Sequence, residues 1–139
     1  MTKNLKKILF LCTGNSCRSQ MAEGWANHLL YDRIEAWSAG IETHGLNPMA
    51  VEAMKKSGVD ISHHHSKLVE ELSDIPFDLV ITVCGHADKN CPLFPGKTKI
   101  IHHGFDDPPK LAEQYDREEK KLACYLKVCR EIKEFVKEL

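Results

Sequence analysis

Net charge is what this sequence lacks most plainly. Its 139 residues hold 19 lysines and arginines against 20 aspartates and glutamates, a formal charge of −1. No broad positive field is therefore available to hold nucleic acid or an anionic membrane, and any anion must be caught locally. Long apolar runs are missing too. Between Lys3 and Cys12 basic residues stand beside Ile8-Leu9-Phe10-Leu11, a run shorter than a signal-peptide core and far shorter than a membrane span. The expectation is a cytoplasmic protein with no nucleic-acid partner and no membrane partner. Repeats, linkers and low-complexity tracts are also absent. A chain of this length with 42% hydrophobic and 28% charged residues suits one domain, 1–139, with one core.

Cysteine is not scarce: six stand at positions 12, 17, 84, 91, 124 and 129. In a reducing compartment their default state is the free thiol, which argues against a structural disulfide framework. Cytosolic thiols that do pair are usually catalytic or redox-sensing, and the spacing of Cys84 and Cys91 marks them for that question.

Strand and helix patterns alternate along the chain. Lys7–Leu11 reads as a short buried strand, broken by Gly14-Asn15-Ser16 before a helical pattern from about Arg18 to Tyr31. Ile34–Ser38 reads as a second strand, Pro48–Lys56 as a helix, and 67–72 as a short helix. The β-branched run Phe77–Val83 suits a central strand with Cys84 at its C-terminal end. Pro92, Pro95 and Gly96 punctuate 85–96, which is expected to be a surface loop, and Lys97–His102 supplies a last strand. From about Gln114 to Leu139, apolar residues Leu122, Leu126, Cys129, Ile132, Val136 and Leu139 recur at helical spacing. The expected fold class is α/β: a single-domain parallel sheet of about four strands with helices on both faces. Its winding is flavodoxin-like, with function at the C-terminal strand ends.

The segment Cys12-Thr13-Gly14-Asn15-Ser16-Cys17-Arg18-Ser19 combines a thiol, a flexible loop, a guanidinium and a helix start. A loop wrapped over a helix N-terminus aims N–H groups inward, and the helix dipole adds positive character, so a tetrahedral oxyanion can bind. Arg18 can offer two parallel donors to such an anion. The same surroundings favour a thiolate at Cys12, whose pKa in comparable sites falls to roughly 3.5–7.5, with Ser19 placed to donate to it. Spacing alone would not single out Cys12, because Cys124 and Arg130 repeat it. That second match lies in a helical pattern without glycine, where positions six apart point to different faces. Cys17 is expected to be mainly a packing thiol.

Four stretches carry a resemblance over nearly the whole chain: Cys-Thr-Gly-Asn-Ser-Cys-Arg-Ser-Gln-Met-Ala-Glu-Gly at 12–24, Ser-Ala-Gly-Ile-Glu-Thr-His-Gly at 38–45, Val-Cys-Gly-His-Ala-Asp-Lys-Asn-Cys-Pro at 83–92 and Gly-Phe-Asp-Asp-Pro at 104–108. With them the sequence resembles the thioredoxin-coupled arsenate reductases of the low-molecular-weight tyrosine phosphatase fold. The resemblance implies Cys12 as nucleophile, Arg18 as oxyanion clamp and Asp107, before Pro108, as general acid, with Asp106 as the neighbouring candidate. Reduction of five-valent arsenic needs two electrons, which a second thiol can supply by attacking Cys12. Cys84 matches the family's first resolving thiol and Cys91 its second, moving the disulfide outward to thioredoxin. Because a disulfide requires Cα atoms within about 7 Å, the segment between Cys84 and Cys91 is expected to rearrange.

Potassium-binding relatives use positions corresponding to Asn15, Glu23 and Ser38 plus a Thr and an Asp, where this chain has His65 and Lys67. A lysine beside Glu23 would repel a cation, so no metal or cofactor is expected and the potassium site should be absent or weak. The nearest rival is a low-molecular-weight phosphotyrosine phosphatase, although Pro109 replaces the aromatic residue that often follows Asp-Pro there. A rival of another class is a zinc-stabilised binding module using Cys84, His86 and Cys91, which lacks a fourth ligand. The histidine runs 63–65 and 102–103 are read as solvated, Cys124 and Cys129 as packing residues, and a monomer as the simplest assembly.

Overall fold

In β1, Lys6–Cys12, the four residues Ile8 to Leu11 are all buried although their side chains alternate between two faces. A strand with both faces covered lies inside a sheet, and here β1 is flanked by β2 (Ile34–Gly40) and β3 (Leu79–Thr82) in the order β2-β1-β3-β4, with β4 spanning Lys99–His102. All three pairings are parallel. This computed structural model describes residues 5–94 and 96–139. The chain leaves β1 toward β2 on one side and later returns to β3 on the other, so the C-terminal ends of β1 and β3 flank a topological switch point. Cys12 ends β1 there, and Cys84 follows β3 by two residues.

Helices pack on both faces. On one face α1 (Arg18–Leu29) is pinned to β2, with the Asn27 side chain bonding both the carbonyl and the N–H of Ala36 and with Ser38 Oγ donating to Glu23 at 2.6 Å. Against α1 lie α2 (Pro48–Lys56) and α5 (Glu118–Lys137). Val128, Ile132 and Val136 of α5 are fully buried, each worth about 1.5–3 kcal/mol of transfer free energy. The other face carries Trp37, packed edge-on against Phe77 at 5.5 Å, and the single 3-10 turn Val69–Leu72. The short α3 (Gly85–Lys89) sits against the ends of β1 and β3. Among the described residues no helix is long and apolar enough to cross a membrane.

The α2 boundaries coincide with the expected ones, because Asn47 caps its first turn, Pro48 opens it and Gly58, at φ +93, follows its end. Two expectations need correction, and one element was not expected. Residues 85–96 are not all loop: Cys84 Sγ accepts from the Ala87 N–H at 3.4 Å and Ala87 is fully buried, and this anchorage builds α3 despite the turn signals that follow. Pro108 opens a helix to which the sequence pattern gives no place, α4 (Pro108–Ala112), with Asp107 at its N-cap. The last helix starts at Glu118 rather than near Gln114, since the Tyr115 N–H closes onto Ala112 and ends α4 first.

Gly40 joins this frame to the loop after β1. A β-carbon there would run into the carbonyls of Glu42 and Thr13 and the N–H of Asn15, all of them backbone. We expect Gly40→Ala to cost roughly 1–3 kcal/mol, the range for overpacking, and to weaken phosphate binding. An unchanged urea midpoint would contradict this close packing.

Candidate active site

The loop from Cys12 to Cys17 is held from behind by its carbonyls. Those of Cys12, Thr13, Gly14 and Ser16 accept from the N–H groups of Ile41, Glu42, His44 and Asn47 at 2.9–3.2 Å. The Gly14 carbonyl takes a second bond from Ser66 Oγ, and the Asn15 carbonyl is taken by Gln20 Nε2. With the carbonyls turned out, the N–H groups of Gly14 to Cys17 donate to no described protein group and are left for an anion. Asn15 makes the reversal. It sits at φ +49, is fully buried, donates to Ser19 Oγ at 2.9 Å and accepts from Gln20 Nε2 and the Lys67 N–H. Asparagine is among the few residues that tolerate this left-handed region. A β-carbon at Gly14 would run into the His44 ring, so a side chain there would displace His44 from the edge of the pocket.

Arg18, the first residue of α1, places its guanidinium over this loop, donating to the Phe105 carbonyl at 3.0 Å and lying 3.7 Å from Asp107 Oδ1. Cys12, Thr13, Gly14, Ser16, Cys17, Arg18, His44, Asp107 and Pro109 line one pocket of about 360 Å³. The two candidate acids separate here, because Asp106 instead faces Lys127 at 4.0 Å. Pro109 occupies the rim where an aromatic side chain would flank a substrate ring. Cys124, by contrast, bonds the Lys120 carbonyl within α5, and Cys129 is buried against Met54, so the second Cys-x5-Arg match encloses nothing.

The thiols of Cys12 and Cys84 face each other across the switch point closely enough for each to perturb the other's charge. Cys84 is lowered to about 5, first by the neighbouring Cys12 thiol and then because the Thr13 hydroxyl, at 3.2 Å, the Ala87 N–H and Arg18 also favour its charge, against the cost of burial. Cys12 is raised well above the ordinary thiol value by Cys84 and by burial, opposed by Arg18 and the Thr13 N–H. Two thiols this strongly coupled titrate as a pair with one negative charge between them; Arg18 draws that charge toward Cys12, and the Thr13 hydroxyl and the Ala87 N–H draw it toward Cys84. Ser19 does not bond Cys12 among the described contacts; its hydroxyl accepts from Asn15 and braces the loop. Burial also raises the Cys17 thiol, as fits a packing residue at the base of the pocket.

Cys91 is half-buried, and its thiol is raised by burial and by the carboxylate of Asp88. It stands two residues beyond α3, whose five residues rise about 7.5 Å, so α3 as folded stands between the two thiols. The zinc constellation does not assemble: Cys84 is engaged by Cys12 and Thr13, and among the described residues no three His, Cys, Asp or Glu side chains converge on one point. Next to the loop, Lys67 Nζ lies 3.7 Å from Glu23 Oε1, which also accepts from Ser38, while Asn15 Oδ1 is already used twice. His64 bonds Gln20 and is not a solvated decoy. Sequence reading gave no role to Gln20, Ser66 or His44, and only their places inside the recognised motifs or between them hinted at one.

A thiol, a guanidinium and a carboxylic acid around an inward-facing ring of N–H groups, at the switch point of a four-stranded parallel sheet, define an oxyanion-directed cysteine site. The chain belongs to the low molecular weight phosphotyrosine protein phosphatase family, whose profile matches residues 7–139. Within that family it is similar to the arsenate reductase of Staphylococcus aureus (strain Newman), with 54% identity over 126 residues covering 88% of this chain and 95% of that one. Among solved structures it is similar to an arsenate reductase in the reduced state (TM-score 0.72, 32% identity, 96% and 95% covered). It is likewise similar to the low molecular weight protein tyrosine phosphatase of T. tengcongensis (TM-score 0.71, 30% identity, 95% of each chain covered).

The shared proton gives a spectroscopic expectation. Thiolate absorbance of the reduced protein should appear as pH rises past about 5 and disappear below it, since a lowered pKa keeps the charged form above that value. Thr13→Val removes one donor and should move the midpoint upward. A midpoint in the ordinary thiol range in the unmutated protein would contradict the shared-proton arrangement.

Proposed function

We propose that this chain reduces arsenate to arsenite through a relay of Cys12, Cys84 and Cys91, is recycled by thioredoxin, and serves arsenic detoxification as a monomer. The observation that carries the reading is a second thiol, Cys84, placed beside Cys12 at the switch point and held by the Thr13 hydroxyl and the Ala87 N–H, because a phosphatase has water to resolve its cysteinyl intermediate and needs no second thiol there. Arsenate is received by the loop N–H groups and Arg18. The proton on Cys12 passes to the neighbouring Cys84, and the Cys12 sulfur attacks arsenic while Asp107 protonates the departing oxygen. Cys84, deprotonated again, then attacks the Cys12 sulfur. A Cys12–Cys84 disulfide forms, the sulfur–arsenic bond breaks, and its electron pair stays on arsenic, which leaves as arsenite. Cys91 next attacks Cys84, Cys12 leaves as thiolate, and the outer Cys84–Cys91 disulfide is reduced by thioredoxin.

The same thiol, arginine and acid also suit a phosphate monoester, and the pocket itself favours some hydrolysis of small aryl phosphates. Arsenate-dependent NADPH oxidation with thioredoxin and its reductase, measured beside aryl-phosphate hydrolysis, separates the readings. Cys84→Ser should abolish multiple turnover of arsenate while leaving hydrolysis within about threefold, as expected when a group used only in reduction is removed. Intact arsenate turnover in Cys84→Ser would end the relay reading.

A potassium ion does not fit beside the loop. The Lys67 ammonium stands on Glu23 where a cation would need that carboxylate, and Asn15 Oδ1 is already saturated. Activity should accordingly be indifferent to the exchange of potassium for a bulky organic cation at constant ionic strength; strong saturable activation would contradict this.

A further inference from the structure

We infer that Thr82, Asp88 and His102 form a latch that holds α3 closed and thereby sets when Cys91 can reach Cys84; this rests on the relay proposed above. Thr82 ends β3 and is fully buried. Its hydroxyl lies 2.8 Å from Nδ1 of His102, at the end of β4, and 3.3 Å from Oδ1 of Asp88, within α3, and the His102 and Asp88 atoms are themselves 3.9 Å apart. One hydroxyl carries one proton, so with a carboxylate at one end the chain runs from His102 N–H to Thr82 and from Thr82 O–H to Asp88. Two adjacent strand ends thus grip a helix of five residues, too short to be stable by itself.

The rest of what holds α3 changes during the proposed reaction. Cys84 Sγ caps its N-terminus, and a charged sulfur is a far better acceptor than a disulfide sulfur. Formation of the Cys12–Cys84 disulfide therefore loosens one end and leaves the latch and buried Ala87 as the remaining ties. Since α3 spans the distance between Cys84 and Cys91, the second exchange requires it to unwind. In that step the Cys91 proton goes to solvent, the Cys84–Cys91 bond forms, the Cys12–Cys84 bond breaks and its electron pair leaves on Cys12. Opening α3 also withdraws the Asp88 carboxylate that disfavours a thiolate on Cys91. None of the three latch residues lines the Cys12 pocket. They are positioning residues for the second exchange and not for the first.

The test uses Thr82→Val and Asp88→Ala in the full chain. Thr82→Val leaves α3 itself unaltered, and Asp88→Ala raises intrinsic helix propensity, so loosening in both cannot come from the helix sequence. A single turnover with arsenate and no thioredoxin is quenched by alkylation at successive times, and the Cys12–Cys84 and Cys84–Cys91 disulfides are mapped. We expect the first disulfide to form at the unmutated rate with unchanged arsenate KM. The second should form about three- to tenfold faster, the factor that one lost hydrogen bond gives. In the reduced protein the Asp88 and Asn90 amides, which donate to Cys84 and His86 carbonyls, should exchange faster by a similar factor. An unchanged or slower second exchange together with unchanged amide exchange overturns the latch. If the unmutated protein forms no Cys84–Cys91 disulfide, the relay falls; faster amide exchange in both variants would still support the latch itself. Asp88 is half exposed, but its carboxylate also disfavours a thiolate on Cys91, so should Thr82→Val fold poorly the amide exchange of Asp88→Ala, and not its disulfide rate, decides the matter.

Discussion

The direction of the peptide groups between Cys12 and Cys17 is the constraint on which the rest of the structure depends. A nearly neutral chain has no long-range field to attract an oxyanion, so the charge must come from backbone dipoles and one guanidinium at short range. That works only if the carbonyls are kept out of the pocket, and each from Cys12 to Ser16 has a partner behind the loop. Those partners come from the segment after β2, from Ser66 and from Gln20. The sheet is thereby drawn into the site: Cys12 pairs with Gly40 in register, and only a glycine at 40 lets the loop approach the turn after β2. Asn15 bears the left-handed conformation, and its buried bonds offset that strain.

Electrostatics within the pocket then follow from what the frame places beside Cys12. Arg18 is held by the Phe105 carbonyl, with Asp107 nearby, and a guanidinium fixed in this way can bind a tetrahedral anion with two donors. The unexpected member is Cys84. Burial alone would keep both sulfurs neutral, but the Thr13 hydroxyl and the end of α3 give Cys84 donors that Cys12 lacks. A single proton between two sulfurs equips the site for the nucleophile and its resolver in turn, and moving that proton needs no rearrangement of the frame.

What could be read in the sequence was what local chemistry encodes. The strand, glycine-bearing loop and helix around Cys12 were legible because buried runs, breakers and helical periodicity are short-range signals, and the same signals dismissed Cys124. Pro48 gave the start of α2 for the same reason. Contacts distant in sequence were not legible. Turn residues at 92 to 96 argued for a loop, whereas α3 exists because Cys84 caps it and Thr82 and His102 hold it from two strands. Ser19 looked like a donor to Cys12 because its place in the loop suggested that role, but Asn15, four residues back, takes up its hydroxyl. The pairing of charge between two sulfurs was hidden for a related reason: local sequence shows the arginine near Cys12 but not that Cys84 lies close enough to perturb it.

The architecture also determines which part can move. Cys84 follows a central strand whose four residues are all buried, and Cys12 ends another; shifting either would tear the ladder that shapes the anion loop. A thiol that must hand a disulfide from one partner to another therefore needs mobility on its far side alone. The chain meets this demand by following Cys84 with a helix of five residues, exposed on its outer side and anchored chiefly at its first turn. Such a segment can open without disturbing the sheet, and the sulfur that caps it is the one whose oxidation calls for it to open. In the proposed relay the rigid loop and the labile helix thus meet at one atom, Cys84 Sγ, which would belong to the site before the first exchange and to the moving segment after it.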